Sequence, residues 1–274
     1  MKGKDLKKRI NGANETVKIT NAMQLIAVSK MNKLQAKLES SREFLRGMKQ
    51  ILEYCDKTRS KLTEKRDGNR ATFIIVTGDK GLCGDYNHAV LDYADAELKK
   101  YNVNAIYPIG QYCRDHYKAE KTLKTAYVYM MQEPFTGDAI EITEDIVKSY
   151  LDGKSDEVYI IYTAVPKGSL TQQEVVTRKI LPLELEDEPK DGEALVKPSQ
   201  TDKILQQYIW SRIYFALCSA SLALNYKRMI AMQSATTNGK KLADNLQAQY
   251  NHARQENITT ELIDASISKQ GKRL

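Results

Sequence analysis

Proline is missing from most of this chain: all six lie between Pro108 and Pro198, and the first 107 and last 76 residues have none. Proline breaks helices, so its absence permits long uninterrupted helices at both ends. Cysteine and histidine are sparse as well. Cys55, Cys83, Cys113 and Cys218 are far apart and form no C-x-x-C pair, which argues against a disulfide framework or a zinc site and for reduced thiols. His88, His116 and His252 stand apart and form no ligand cluster. Long hydrophobic runs are absent. The longest uncharged run in the apolar C-terminal region, Ile213 to Tyr226, is too short for the ~20 residues of a membrane helix. The opening stretch, MKGKDLKKRINGANE, has no apolar core, so neither a secretory signal nor a membrane span is expected. Docking on a membrane complex stays open.

What is present suits a foldable protein. The 274 residues are 42% apolar and 28% charged, enough for one sizeable domain or two small ones. The net charge of +7 is unevenly placed. Residues 1–66 hold 17 Lys or Arg against 7 Asp or Glu, a net of +10, which leaves −3 for the remainder. A basic first quarter fits nucleic acid, an anionic membrane or an acidic protein partner, and charge alone does not choose among them. The first 70 residues contain only Phe44 and Tyr54 as aromatics, so the stacking side chains of a nucleic-acid surface are missing.

Both ends carry a heptad pattern. From Leu6, steps of alternating four and three land on Ile10, Ala13, Val17 and Thr20 and continue to Leu52, with eleven of fourteen positions apolar. Lys30, Lys33, Lys37, Arg42 and Arg46 fall off this seam. From Ile204 the same stepping reaches Ala253, with eleven of fifteen positions apolar. Small residues crowd one part of it, from Ala216 to Ala223, where a partner helix could come close. A helix of ~55 residues would run roughly 80 Å, and neither helix could bury its stripe alone. The economical solution is one antiparallel coiled coil made from the two ends. The expected division is residues 1–66 as the N-terminal coiled-coil helix, 67–200 as an α/β domain and 201–274 as the C-terminal coiled-coil helix.

The middle changes character. Phe73 to Val76, Ala105 to Tyr107, Ala126 to Met130, Val158 to Val165 and Glu174 to Leu181 read as strands; Asn87 to Tyr101 and Ile140 to Leu151 read as helices. Alternating strands and helices imply a mostly parallel, Rossmann-like sheet. Glu184 to Ser199 reads as a polar loop. The turn Gly78 to Gly84 follows the first strand and has a place where phosphate can be cradled. Its spacing is neither G-x-x-x-x-G-K-[ST] nor G-x-G-x-x-G, so a structural or partner-contacting turn is expected, with no cofactor. Lys80 beside Cys83 raises the idea of a reactive thiol, but no histidine base is near in sequence and an inert cysteine is expected. Asp138, Glu141, Glu144 and Asp145 fall at helical spacing, where a solvated face is the default.

Three stretches resemble one family. Leu6 to Gln35, with Lys18-Ile19-Thr20, Ala22-Met23 and Ser29-Lys30-Met31, resembles the N-terminal helix of F-type ATP synthase γ subunits. Gly81-Leu82-Cys83-Gly84 followed by Asn87 is a second match. The third is Arg228-Met229, Ala231-Met232, Ala235-Thr236 and Asn238, then Tyr250-Asn251, Ala253-Arg254-Gln255 and Ile258-Thr259. The matches fall in order over essentially the whole chain. The resemblance implies a non-catalytic rotor shaft whose coiled coil runs inside a hexamer of three α and three β subunits, with its base on the c ring beside ε. Torque from ion flow would pass through it during ATP synthesis or hydrolysis. It implies a peripheral place on the cytoplasmic face of a bacterial inner membrane. By similarity Met23 and Lys30 would meet β; Arg228, Gln255, Thr259 and Glu261 would matter for coupling; Lys80 and Cys83 would lie near β and ε. Two features depart from the family pattern: the end after Ile263 lacks the usual Gly-Ala, and Lys197 stands where an acidic residue usually precedes proline. The alternatives are a free coiled-coil adaptor, a nucleotide-binding enzyme built on the middle domain, or a γ-like subunit of a specialised F1-like ATPase.

Overall fold

The computed structural model describes residues 3–55, 60–185 and 198–270. The position of Lys197 and the end from Gly271 to Leu274, where the sequence departs from the family pattern, lie outside them. The chain forms two compact units: Met1–Ile26 with Met229–Leu274, and Ala27–Arg228. Two long helices, α1 (Gly3–Leu52) and α5 (Pro198–Gln270), contribute to both.

The heptad reading of α1 holds position by position. Every buried residue described in this helix is a seam residue, and the three seam residues that are not buried, Val17, Gln24 and Leu45, are half-buried. In the first unit the partner is the late part of α5. Leu6 and Ile10 pack with Leu246, and Tyr250 and Ala253 close over them. The hydroxyls of Thr20 and Thr236 meet at 2.7 Å. A Cβ on Gly239 would come within 2.8 Å of Val17 Cγ2, so the missing side chain lets the helices approach. Early α1 therefore meets late α5, the antiparallel order expected of the two ends.

The second unit is built on a four-stranded sheet of order β2-β1-β3-β4, formed by β1 (Arg70–Val76), β2 (Asn102–Ile109), β3 (Glu157–Ala164) and β4 (Glu174–Leu181). β1 runs parallel to β2 and β3; β4 is antiparallel to β3. Central β1 is buried at every position after Arg70, as a parallel strand covered on both faces should be. Helix α2 (Tyr86–Leu98) connects β1 to β2, and α3 (Gln111–His116) and α4 (Thr136–Leu151) lie between β2 and β3. The expected strand from Ala126 to Met130 does not form. This stretch makes only a single bridge, Ile109 to Tyr127, before Tyr129 turns left-handed (φ 69°) into a short 3-10 turn at Met130–Gln132. Of the side chains that suggested a strand only Tyr127 is buried, its hydroxyl donating to Asp145 at 2.7 Å, while Tyr129 stands in solvent.

A charged clamp joins β1 to the turn before β3. Asp156 is buried and accepts from the Arg70 guanidinium (Nη2 to Oδ1 2.7 Å, Nε to Oδ2 3.0 Å) and from the Arg70 backbone N–H at 3.0 Å. A side chain at Gly68 would collide with this carboxylate. Arg66 donates to the carbonyls of Tyr150 (2.7 Å) and Ser155 (2.8 Å) and lies 4.0 Å over the Tyr150 ring.

The early half of α5 departs from the simple stripe. From Ala216 to Asn225 every residue is buried. The Tyr86 hydroxyl donates to the Ala220 carbonyl at 3.1 Å, the Val165 N–H donates to Ser219 Oγ at 2.9 Å, and Ser221 Oγ donates to the Met131 carbonyl at 2.8 Å. The small residues let neighbours reach the helix from several sides, rather than serving one partner helix.

Candidate functional site

The glycine-rich turn is fixed from within. Thr77 N–H and Oγ1 both donate to the Ile109 carbonyl, and Thr77 Oγ1 accepts from the Cys113 N–H at 2.9 Å. The Gly78 N–H donates to Asn87 Oδ1 at 2.8 Å, while Asn87 Nδ2 reaches the Cys83 sulfur at 3.5 Å. Asp79 Oδ1 accepts from the Tyr129 N–H at 2.7 Å. Gly81 sits where a Cβ would meet the Tyr112 hydroxyl at 2.9 Å. Two left-handed residues then follow, Leu82 (φ 61°) and Gly84 (φ 62°). A leucine held there costs on the order of 1 kcal/mol, and the conformation leaves its side chain in solvent, 58% exposed.

Helix α5 meets this turn at Arg228. Its Nη2 donates to the Lys80 carbonyl at 3.4 Å and its Nη1 to Asn225 Oδ1 at 3.2 Å. One residue earlier, Lys227 pairs with Asp85 at 3.1 Å. Asp85 is the N-cap residue of α2, but its carboxylate makes no hydrogen bond to the first turn of that helix and is turned to Lys227. Lys30 of α1 joins the group. Its pKa is lowered by partial burial and then by the charges of Arg228 and Lys80, against an opposing pull from Glu133. The Cys83 thiol is buried and its pKa is raised, chiefly by that burial, with Arg228 pulling the other way. A thiolate nucleophile needs the reverse balance. The turn therefore offers partners an exposed leucine and a set of cations rather than a reactive centre.

Four of the eight positions singled out from the sequence are thus brought together: Lys30, Lys80, Cys83 and Arg228. The other four belong to the first unit. Met23 is half-buried one step off the α1 seam, while Gln255, Thr259 and Glu261 are exposed on α5. The Thr259 hydroxyl donates to the Gln255 carbonyl at 2.9 Å and is spent within its own helix. Around these positions the surface is unusually apolar: Ile19, Leu25 and Ile26 on α1, and Ile258, Leu262 and Ile263 on α5, are 45–66% exposed. Sequence reasoning passed over them and over Leu82. The available signal was apolar residues lying off the seam, which a solvated helix has no use for.

Among the described residues no cluster of His, Cys, Asp or Glu is placed to hold a metal ion, and no helix is long and apolar enough to cross a membrane. The candidate acidic face of α4 is used locally: Asp138 accepts from the Phe135 N–H at its start, and Asp145 holds Tyr127.

A family model described as ATP synthase matches residues 2–266. The chain is 34% identical to the ATP synthase gamma chain of Caldanaerobacter subterraneus subsp. tengcongensis, covering 95% of this chain and 97% of that one. It is also 34% identical to the ATP synthase gamma chain of Halothermothrix orenii, covering 95% and 96%. Its fold matches a chain in the Euglena gracilis mitochondrial ATP synthase structure of OSCP, F1 and c ring, with a TM-score of 0.72 over 98% of this chain and 94% of that one at 15% identity.

Proposed function

The chain belongs to the ATP synthase γ-chain family, and from that membership we propose that it is the central shaft of an F-type ATP synthase, performing no chemistry itself. It carries torque between an ion-driven c ring and the catalytic hexamer of α and β subunits. The observation that carries this reading is in the helices of the first unit: the buried antiparallel pair leaves Ile19, Leu25 and Ile26 of α1 in solvent, and α5 then runs on past the start of α1 with Ile258, Leu262 and Ile263 exposed. A free protein has no reason to expose two such apolar patches, whereas a shaft turning inside a ring of partners requires apolar, non-locking contact.

In this reading Met23, Gln255, Thr259 and Glu261 touch the catalytic subunits along the shaft. Lys30, Lys80, Cys83 and Arg228 form a second contact with β and with ε, through Leu82 and the surrounding cations. Charge attraction suits a sliding contact because it acts without interdigitation and falls off gradually with distance. We divide the chain functionally into the coiled-coil arms, 1–66 and 201–274, and the Rossmann-like body, 67–200, which rests on the c ring. The protein is peripheral on the cytoplasmic face of a bacterial membrane.

The test is ATPase turnover after co-expression with α and β from the same organism. A stable complex whose turnover far exceeds that of α and β alone is the expected result. In that complex Arg228→Glu should lower turnover while the subunits still assemble, since Arg228 is only half-buried. A chain that purifies alone and leaves turnover unchanged would overturn the shaft reading.

A further inference from the structure

The second unit contains a cleft of about 360 Å³ with an unbalanced lining. Five lining residues are cationic, Arg42, Arg46, Lys49, Arg178 and Arg212, and no lining residue is acidic. They converge from three elements: α1 supplies the first three, β4 supplies Arg178 and α5 supplies Arg212. Ile160, Ile180 and Tyr162 line it from the sheet, and Phe215 from α5.

Counter-charge is scarce. Arg42 pairs with Glu39 at 2.7 Å and lies 5.7 Å over the Phe215 ring. Arg178 lies beside the Tyr162 hydroxyl, whose pKa burial raises and Arg178 pulls back. Arg212 makes one hydrogen bond, to the Lys179 carbonyl, and its charge faces the Tyr208 ring at 5.7 Å. Burial holds its pKa below the usual guanidinium range. Among the described residues Arg46, Lys49, Arg178 and Arg212 have no carboxylate within ion-pair distance; Glu184 acts on Arg212 from further off and is itself paired with Lys179 at 3.3 Å. Cations held together over an apolar floor repel one another, and a desolvated guanidinium without a counter-ion is costly. The missing component is an anion with several acceptor oxygens, to which guanidinium forks bind in pairs.

We propose that this cleft binds a small phosphorylated anion carrying two or more negative charges, such as a diphosphate group, with Tyr208 and Phe215 able to cover an attached ring. The volume falls within the ~300–1,000 Å³ of small-ligand sites. This assignment goes beyond the shaft reading and does not depend on it, because the cleft lies wholly within one unit and is tested on this chain alone.

The full-length chain would be titrated with inorganic pyrophosphate by calorimetry, and followed by the fluorescence of Trp210, the only tryptophan. Trp210 packs on Phe44 at 5.5 Å, between the cleft residues Tyr208 and Arg212 in sequence. Saturable one-to-one binding is expected. The variant R46Q/R178Q removes two exposed side chains, so folding is preserved, and should weaken binding about tenfold or more per arginine. K118Q/K121Q removes the same charge from exposed positions elsewhere and should leave affinity within about twofold. Flotation with phosphatidylglycerol vesicles separates the sources: arginine-dependent flotation that pyrophosphate displaces assigns a lipid headgroup, and pyrophosphate binding without flotation assigns a soluble phosphate compound. Equal weakening by both double variants, or no saturation in the millimolar range, would overturn the proposal. So would failure of R46Q/R178Q to join co-expressed subunits while pyrophosphate is not bound, which would assign these cations to a protein interface.

Discussion

Helix α5 is one helix with two ways of being buried. From Ala216 to Asn225 no residue is exposed to solvent, whereas from Met232 to Leu246 only Met232, Thr236, Ala243 and Leu246 are buried, at heptad spacing. The first stretch is enclosed by the turn after β1, the end of β3 and the 3-10 turn; the second meets a single helix. The same backbone thus serves as core in one unit and as half of a two-stranded coil in the other. A position's cost should follow the number of elements that close over it, rather than its apolarity.

The largest effect is expected where enclosure is complete. Leu222→Ala, at a position only 1% exposed, should destabilise by about 3–4 kcal/mol, because neighbours on several sides cannot collapse into the space. Leu246→Ala, at 4% exposed, deletes the same atoms from the seam and should cost about 2 kcal/mol, since two helices can close up and water borders the site. Urea midpoints followed by far-UV circular dichroism would compare them. Equal losses would break the distinction between core and coil.

Next comes the Arg70–Asp156 clamp, which the coiled-coil unit has no counterpart for among the described residues. Asp156→Asn keeps the shape and removes the charge. A loss of about 1–2 kcal/mol at neutral pH is expected, after allowing for the half-exposed Arg70. The Arg70 hydrogen bonds hold the Asp156 carboxyl below its ordinary pKa, against the opposing effect of burial. Its contribution is therefore fully present above the unfolded-state value of about 4 and is lost as pH falls through the lower folded-state value. The wild type and variant should converge in stability as pH drops below about 4. A gap that persists there would mean the variant's loss comes from its amide N–H2 facing the Arg70 donors rather than from the missing charge.

The two burial modes also explain what the sequence made legible. A heptad seam is a one-dimensional pattern, and in α1 it located every buried residue described, including the polar Thr20 and Ser41. Enclosure by several elements has no period. Its only trace was the uncharged, small-residue run from Ile213 to Tyr226, which reads equally well as a close helix contact. Ala126 to Met130 misled for a related reason: an apolar run does not reveal whether a neighbouring strand will pair with it, and here the left-handed Tyr129 ends the extended stretch. The candidate site was legible in a different way. Resemblance singled out Lys30, Lys80, Cys83 and Arg228, but only the fold places them together, since nothing in their spacing links α1, the turn after β1 and α5. The exposed Ile19, Leu25 and Ile26 could have been read from the α1 seam itself, as apolar residues on the wrong face; Ile258 and Leu262 lie beyond the last seam position of α5, Ala253.

The smallest expected effect sharpens the comparison most. Thr20 and Thr236 are the polar pair in the coil, buried at 8% and 7% exposure with hydroxyls 2.7 Å apart. Thr20 also bonds the Thr16 carbonyl at 3.0 Å within its own helix. Thr236→Val removes one partner but leaves Thr20 bonded locally, so no buried donor is orphaned and the loss should be about 0.5–1 kcal/mol. The double variant T20V/T236V replaces both hydroxyls with methyl groups of similar shape and should be nearly neutral. With Thr20→Val costing about as much as Thr236→Val, a double-mutant cycle would then give a coupling of about 1–2 kcal/mol. That result fits a coil held chiefly by its apolar seam. A coupling well above about 2 kcal/mol would instead make this pair a register lock, and would give the coil a polar anchor comparable to the Arg70–Asp156 clamp of the other unit.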